Sequence, residues 1–345
     1  MPSHAGDPSR RPGPRTDAGG RARPLRRTYA PRVLDDDDAG RRARRRPAPG
    51  RLGVGVVGAG RVGAVMGAAL RAAGHAVVGA SAVSEASLER VATLLPGVPV
   101  LPVPEVVERA ELVLLAVPDD ALADLVAGLA ATGSWQAGQL VVHTSGRHGT
   151  AVLEPARAAG GIPLALHPAM TFTGTSLDLV RLADAVIGVT APAPVLPVAQ
   201  ALVVEVGAEP VVVDEADRAL YHAALSHGSN HLVTLVAQAA EVLRAAGLDR
   251  PDRVLGPLLQ AALDGALRSG DDALTGPVAR GDAGTLTAHR AVLAQAAADG
   301  LVGPDVPAAH LALARATAAR ARAGGRLTGL PADDVDSALQ SGDPS

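Results

Sequence analysis

One stretch, Leu52 to Leu70, reading LGVGVVGAGRVGAVMGAAL, constrains the fold more than any other part of the chain. Gly53 to Val57 is the β-branched run of a buried parallel strand, and Gly58, Gly60 and Gly63 follow it in G-x-G-x-x-G spacing. Val62, Met66, Ala69 or Leu70, and Ala73 then recur at helical spacing, and Gly74 stands where a helix ends. Strand, glycine turn and helix in that order aim the helix's first amides at an anion. Gly58 permits the tight turn, Gly60 lets a pyrophosphate approach the backbone, and Gly63 lets the helix pack closely on the strand. The expected cofactor contacts are Gly58, Ala59, Gly60, Arg61, Val62 and Gly63, with Val117 and Pro118 at the end of a later strand.

From Arg51 onward strand-like and helix-like segments alternate, the pattern of a doubly wound α/β sheet. Strands are expected at Ala76 to Ala80, Val98 to Leu101, Leu112 to Val117, Leu140 to Val142 and Pro163 to Leu166, with Val186 to Val189 and Val211 to Val213 as extensions. Asp119 and Asp120 are placed to cap the helix that runs to Ala131. Beyond Asp214 the period changes to 3.6. One long helix is expected over Glu215 to Ala246, with others at Asp252 to Arg268, Ala283 to Ala298 and Ala308 to Ala323. The reading divides the chain into an Arg-rich arm over 1–48, a Rossmann-like domain over 49–214, an all-helical domain over 215–328 and a frayed tail over 329–345.

Charge and composition narrow the chemistry. Residues 1 to 50 hold 13 Arg against 6 Asp, a balance of +7, and the remainder carries −10, for a net −3. The arm has too few apolar residues to offset the cost of ordering, so disorder is expected there. Tyr29 is its only aromatic and the Asp35 to Asp38 run opposes a phosphate role, which argues against nucleic acid as a partner. No apolar run long enough to span a bilayer is present, and a cytoplasmic protein without a membrane partner is expected. Cysteine and lysine are both absent, so a thiol nucleophile, a Schiff base and an ammonium acid are excluded. Carboxylate binding falls to arginine, and proton transfer to histidine, tyrosine, an acid or water.

In open α/β sheets ligands lie at the carboxyl ends of the strands. His143 to Gly146 and His167 stand at such ends; His143 reads as a backbone-satisfying group or a ligand, His167 as a ligand contact or a structural turn. Strand two ends at Ser81, where an NAD site would carry an acid. Ser81, with Ser84 and Arg61 or Arg90, suits a 2′-phosphate, so NADP is expected over NAD. On the long helix His222, Ser226 and Asn230 recur every four residues beside Tyr221, His227 and His231, as a ligand-facing stripe or a polar seam between subunits. The histidines lack the acid of a metalloprotease helix, and no metal is expected. In LTGPVARGD, Arg280 can hold a carboxylate, and Thr275 and Asp282 can stop and cap helices.

Taken together, GAGRVG, AVPDDAL, HTSG, LHPAMTFTG, the LYHAA and SNHL helix, and LTGPVARGD resemble a bacterial, actinobacterial-type family. It joins an N-terminal Rossmann-like oxidoreductase domain to a C-terminal domain of unknown function. The family is similar to ketopantoate reductase, pyrroline carboxylate reductase and phosphogluconate dehydrogenase, which implies a phosphogluconate-dehydrogenase-like helical domain and a homodimer. Several of those relatives use a helix lysine with an asparagine one turn later; Asn230 matches the asparagine, and Ser226 or His227 stands where the lysine would be. The resemblance implies an NADP-dependent reductase or dehydrogenase of a small carbonyl or imine acid in an interdomain cleft. Asn230 would orient the substrate, Arg280 would bind its carboxylate, and His167 or His227 would handle the proton. The alternative, favoured by the missing lysine, is a catalytically silent NADP-binding regulator or scaffold.

Overall fold

A computed structural model describes residues 52–340. The Arg-rich arm and the last five residues lie outside the described residues. Strands β1 (Gly53–Val57), β2 (Ala76–Ser81), β3 (Leu112–Leu115), β4 (Leu140–His143), β5 (Ile162–Pro168), β6 (Val186–Thr190) and β7 (Glu209–Val212) form one sheet. Its order is β2-β1-β3-β4-β5-β6-β7. Strands β1 to β5 are parallel; β6 runs antiparallel to β5, and β7 runs parallel to β6. The chain leaves β1 for β2 on one side and returns to β3 on the other, so the glycine turn sits where the strand order reverses.

Helices α1 (Arg61–Ala72), α2 (Glu85–Leu94), α3 (Val103–Glu108), α4 (Asp119–Ala131), α5 (Glu154–Ala158), α6 (Leu177–Leu182) and α7 (Leu196–Glu205) connect the strands. The strands read as nearly continuous apolar runs because both faces are covered. Val54, Val56, Leu112, Leu114, Val142 and Leu164 bury one face in the core with α1, and Val57, Val113, Leu115 and Val141 bury the other with α3 and α4. Side chains of successive residues point to opposite faces, which sorts them into these two cores.

After β7 a 3-10 turn, Glu215–Asp217, leads into α8 (Arg218–Ala245), 28 residues or about 42 Å of helix. Then follow α9 (Pro251–Ser269), α10 (Gly276–Arg280), α11 (Ala283–Ala298), α12 (Asp305–Ala323) and α13 (Leu330–Gln340). Leu286, Ala314, Ala318, Ala321, Val335 and Leu339 form a separate helical core.

Three expectations need correction. Val98 to Leu101 is not a strand: Val100 makes only an isolated bridge to Ala80. Prolines at 96, 99 and 102 break the run, and a proline has no N–H to give a ladder. The tail is not frayed over 330–340, because Ala332, Val335, Ala338 and Leu339 recur at spacings of three and four and are buried. Asp119 and Asp120 do not cap α4 through their side chains. They occupy its first turn, where their charge offsets the helix dipole.

Candidate functional site

The glycine turn is built as its spacing demands. Gly58 has φ +86°, and its N–H donates to Ser81 Oγ at 2.9 Å. The Ala59 N–H donates to the Ser81 carbonyl at 2.8 Å. Ser81 is buried, so its side chain braces the turn from the end of β2. A Cβ on Gly63 would stand 2.2 Å from the Gly58 carbonyl oxygen, whereas a Cβ on Gly60 would have nothing within 4 Å. Gly63 therefore seats the helix, and Gly60 keeps an open approach to the backbone. No side chain caps α1, which leaves its first-turn amides for an anion. Val117 closes the other side, 3.1 Å from where a Gly58 Cβ would be, and Pro118 is the N-cap of α4.

At the end of β4, His143 is fully buried. Its Nε2 donates to the Gly149 carbonyl at 2.8 Å and its Nδ1 accepts the Ser145 N–H at 3.2 Å. Burial, reinforced by the Arg218 charge, holds its pKa down at about 4 against the backbone bond to Gly149. His143 is thus a neutral pin for the loop that follows it.

His167, on β5, is placed differently. Its Nδ1 lies 3.1 Å from the Tyr221 hydroxyl, and its ring meets those of Tyr221 and His222 edge-on, at centroid distances of 5.6 and 5.9 Å. Room for this cluster comes from two glycines. A Cβ on Gly146 would lie 2.6 Å from His222 and 2.9 Å from His167 Nε2, and one on Gly188 would lie 2.8 Å from the Tyr221 hydroxyl. Burial, with Arg218 and then His222 adding to it, lowers the His167 pKa to about 4. Burial also raises the Tyr221 phenol against the pull of Arg218.

Arg218 ties this cluster together. It is 1% exposed. Its Nε donates to Thr190 Oγ1 at 2.8 Å, and its Nη2 donates to the carbonyls of Ala165 at 2.8 Å and Gly188 at 3.1 Å. The guanidinium carbon lies 5.9 Å from the Tyr221 ring centroid. One side chain thereby fastens the start of α8 to β5 and β6.

Beside His167, between the β5 end and α8, lies an open cavity of about 440 Å³. Its polar lining is His167, Thr171, His222, Ser226, Ser229 and Asn230, and Pro168, Ala169, Met170 and Leu225 supply apolar wall. The cavity thus brings together His167 and Asn230 of the expected site residues. His227 is not in its lining; it is exposed, with Nδ1 3.0 Å from Nδ1 of His231. Arg280 is not there either. It ends α10 on the surface, where Gly281 (φ +76°) turns the chain and Asp282 accepts the Thr285 N–H at 3.0 Å to cap α11. Among the described residues no group of three His, Asp or Glu side chains is placed to hold a metal.

Sequence reasoning missed Arg218, and a lone arginine three residues before Tyr221 carries no signal of burial. Tyr221 and His222 stood in the polar stripe, and their placement against His167 follows only from Gly146 in the loop after β4 and Gly188 in β6.

Residues 38–168 match the model of a Rossmann-like domain, and residues 185–317 match that of the domain of unknown function DUF2520. The chain pairs a Rossmann-like domain with a DUF2520 domain. No curated protein matches the chain. Among solved structures, a provisionally designated NADP oxidoreductase from Bacteroides fragilis is similar at 21% identity and a TM-score of 0.63, over 77% of this chain and 98% of that one. An imine reductase from Pseudomonas sp. is similar at 16% identity and a TM-score of 0.59, over 84% of this chain and 100% of that one. A reductive aminase from Aspergillus terreus, solved with NADPH and ethyl levulinate, is similar at 19% identity and a TM-score of 0.57, over 83% and 99%. These likenesses establish a shared fold, a Rossmann-like sheet domain followed by helices.

Proposed function

We propose that the protein is an NADP-dependent reductase of a small carbonyl or imine compound. The cavity beside His167 carries the reading, because it lies at the carboxyl end of the sheet and sets hydrogen-bonding groups beside an apolar wall. Gly58 to Gly63 fit a dinucleotide, since the only space a Gly60 Cβ would fill is open and the amides behind it are uncapped. Arg61 and Arg90 supply charge for a 2′-phosphate, and Ser81 braces the turn beneath it. A bound nicotinamide supplies hydride to the substrate carbon.

The chain's own part is the proton. In this reading the Tyr221 hydroxyl, 3.1 Å from His167 Nδ1, is assigned as the donor and the neutral ring's proton is assigned to Nε2. As charge builds on the substrate nitrogen or oxygen, Nε2 gives up its proton and Nδ1 takes the phenolic one. The tyrosinate left behind lies beside the buried Arg218 cation. Asn230 orients the substrate. This relay needs no lysine and explains how the chain can act without one. A His167→Ala variant should keep NADPH affinity and lose reduction of ketones and cyclic imines; unchanged turnover would refute the role.

The helical part fits a homodimer. Leu220, Val233, Leu258, Leu267 and Val292 on α8, α9 and α11 are 61–79% exposed, apolar side chains that a second copy would cover. Arg280 does not line this chain's cavity; in this reading it meets a substrate carboxylate from the helical part of a second copy, so an acidic substrate and the dimer stand together. Light scattering that finds a monomer at assay concentration would remove both.

A further inference from the structure

The segment that leaves the cavity wall, Thr171 to Thr175, is held by a carboxylate with no part in the relay. Asp178 is completely buried. Its Oδ2 accepts the N–H groups of Thr173 at 2.8 Å and Gly174 at 2.7 Å, and its Oδ1 accepts the Thr173 hydroxyl at 2.9 Å. Burial alone would raise this carboxyl, but the bonds from Gly174 and Thr173 outweigh it and hold it below the usual range. Phe172 anchors the same segment in the core. Gly174, at φ +81°, is the tip.

The tip meets two arginines. A Cβ on Gly174 would stand 2.8 Å from Arg90 Nε and 3.0 Å from Arg61 Cγ, so both side chains pass close to one point. Arg61 opens α1 directly after the glycine turn, and Arg90 comes from α2, which follows β2. Neither has a carboxylate partner among the described residues. Two cationic side chains without a carboxylate partner, the Arg90 Nε and the Arg61 stem, thus pass one backbone tip, and like charges brought to one place favour an anion beside them. Arginine's planar donors match the oxygens of a phosphate.

We propose that Asp178 is a positioning residue for cofactor selectivity: by pinning the Thr171–Thr175 strap it holds Gly174 against Arg61 and Arg90 and sets their guanidiniums for a 2′-phosphate. The inference rests on the reading of the chain as an NADP-binding protein. The cost of the arginine arrangement is recovered only when the phosphate is present, so the strap acts on NADPH and leaves NADH alone. Gly174 is small because any side chain would enter the arginines' space.

Calorimetric titration of the full-length protein with NADPH and with NADH, at fixed ionic strength, tests this. Wild-type protein that binds NADPH no tighter than NADH would overturn the underlying NADP reading and the strap with it. Given that preference, Arg61→Ser and Arg90→Ser should each weaken NADPH about tenfold or more, the loss of a charge-assisted bond, and leave NADH within about twofold. Asp178→Asn should do the same through the strap. Gly174→Ala serves as the second variant should Asp178→Asn not fold, and should also act on NADPH alone. Equal weakening of both cofactors, or no change in the strap variants while the arginine variants lose selectivity, would overturn the role of Asp178 and leave the NADP reading standing.

Discussion

His143 makes a pH-dependent contribution to stability that can be isolated from every other group. The folded protein holds its pKa at about 4, against 6.5 for an ordinary histidine. A folded-state pKa that is depressed leaves the full contribution in place above about pH 6.5 and removes it as pH falls toward 4, because the unfolded chain takes up a proton that the folded one refuses. At pH 5 the two-pKa linkage gives a loss of about 2 kcal/mol relative to neutral pH. Carboxylates and His167 titrate in the same range, so the wild-type loss alone would not identify the residue. His143→Gln keeps a donor and an acceptor for Gly149 and Ser145 and cannot titrate. Urea unfolding of both proteins at about pH 7 and pH 5 should show the wild type losing about 2 kcal/mol more than the variant, whatever the variant's own stability. Equal losses would refute a neutral His143 pinned by two backbone bonds.

The glycine turn separates binding from folding. Gly60→Val should fold normally and weaken both nicotinamide cofactors in calorimetry, whereas Gly63→Ala, with its Cβ 2.2 Å from a backbone oxygen, should lower stability by about 1–3 kcal/mol in urea unfolding. Tyr221→Phe should lower kcat roughly 100-fold with little change in KM, because it removes the proton behind His167 and no substrate contact. Arg218→Met should cost about 3 kcal/mol or more in urea unfolding, since three acceptors on β5 and β6 lose their donor in a buried site.

Local features were the legible ones. The β1–turn–α1 unit, the strands from Leu112 to Leu166 and the long helix from Arg218 follow from apolar period and glycine position, which act over a few residues. Val98 to Leu101 misled because its apolar residues fit a strand while its prolines forbid the ladder. The tail from Leu330 misled because three aspartates mask a buried stripe that matters only once α11 and α12 are there to cover it. At the site, His167 and Asn230 were legible as polar groups at a strand end and on a helix face. Arg218, the Tyr221 contact and the Asp178 strap join residues dozens of positions apart or sit under a surface loop, and no spacing announces them. His227 and Arg280 show the converse: residue types suited to a task, His227 on an exposed position of the cavity-lining helix α8 and Arg280 at the end of α10, neither of them in the cavity's lining.

The central claim is reduction at the cavity beside His167 by a nicotinamide cofactor held at Gly58 to Gly63. Loss of NADPH absorbance is followed with wild-type protein and His167→Ala against a panel of ketones, 2-keto acids and cyclic imines, after calorimetry has shown that both bind NADPH alike. The account predicts substrate-dependent oxidation of NADPH by the wild type and its loss, by roughly 100-fold or more, in the variant. Cofactor binding without turnover of any carbonyl or imine, or turnover that His167→Ala leaves intact, would contradict it.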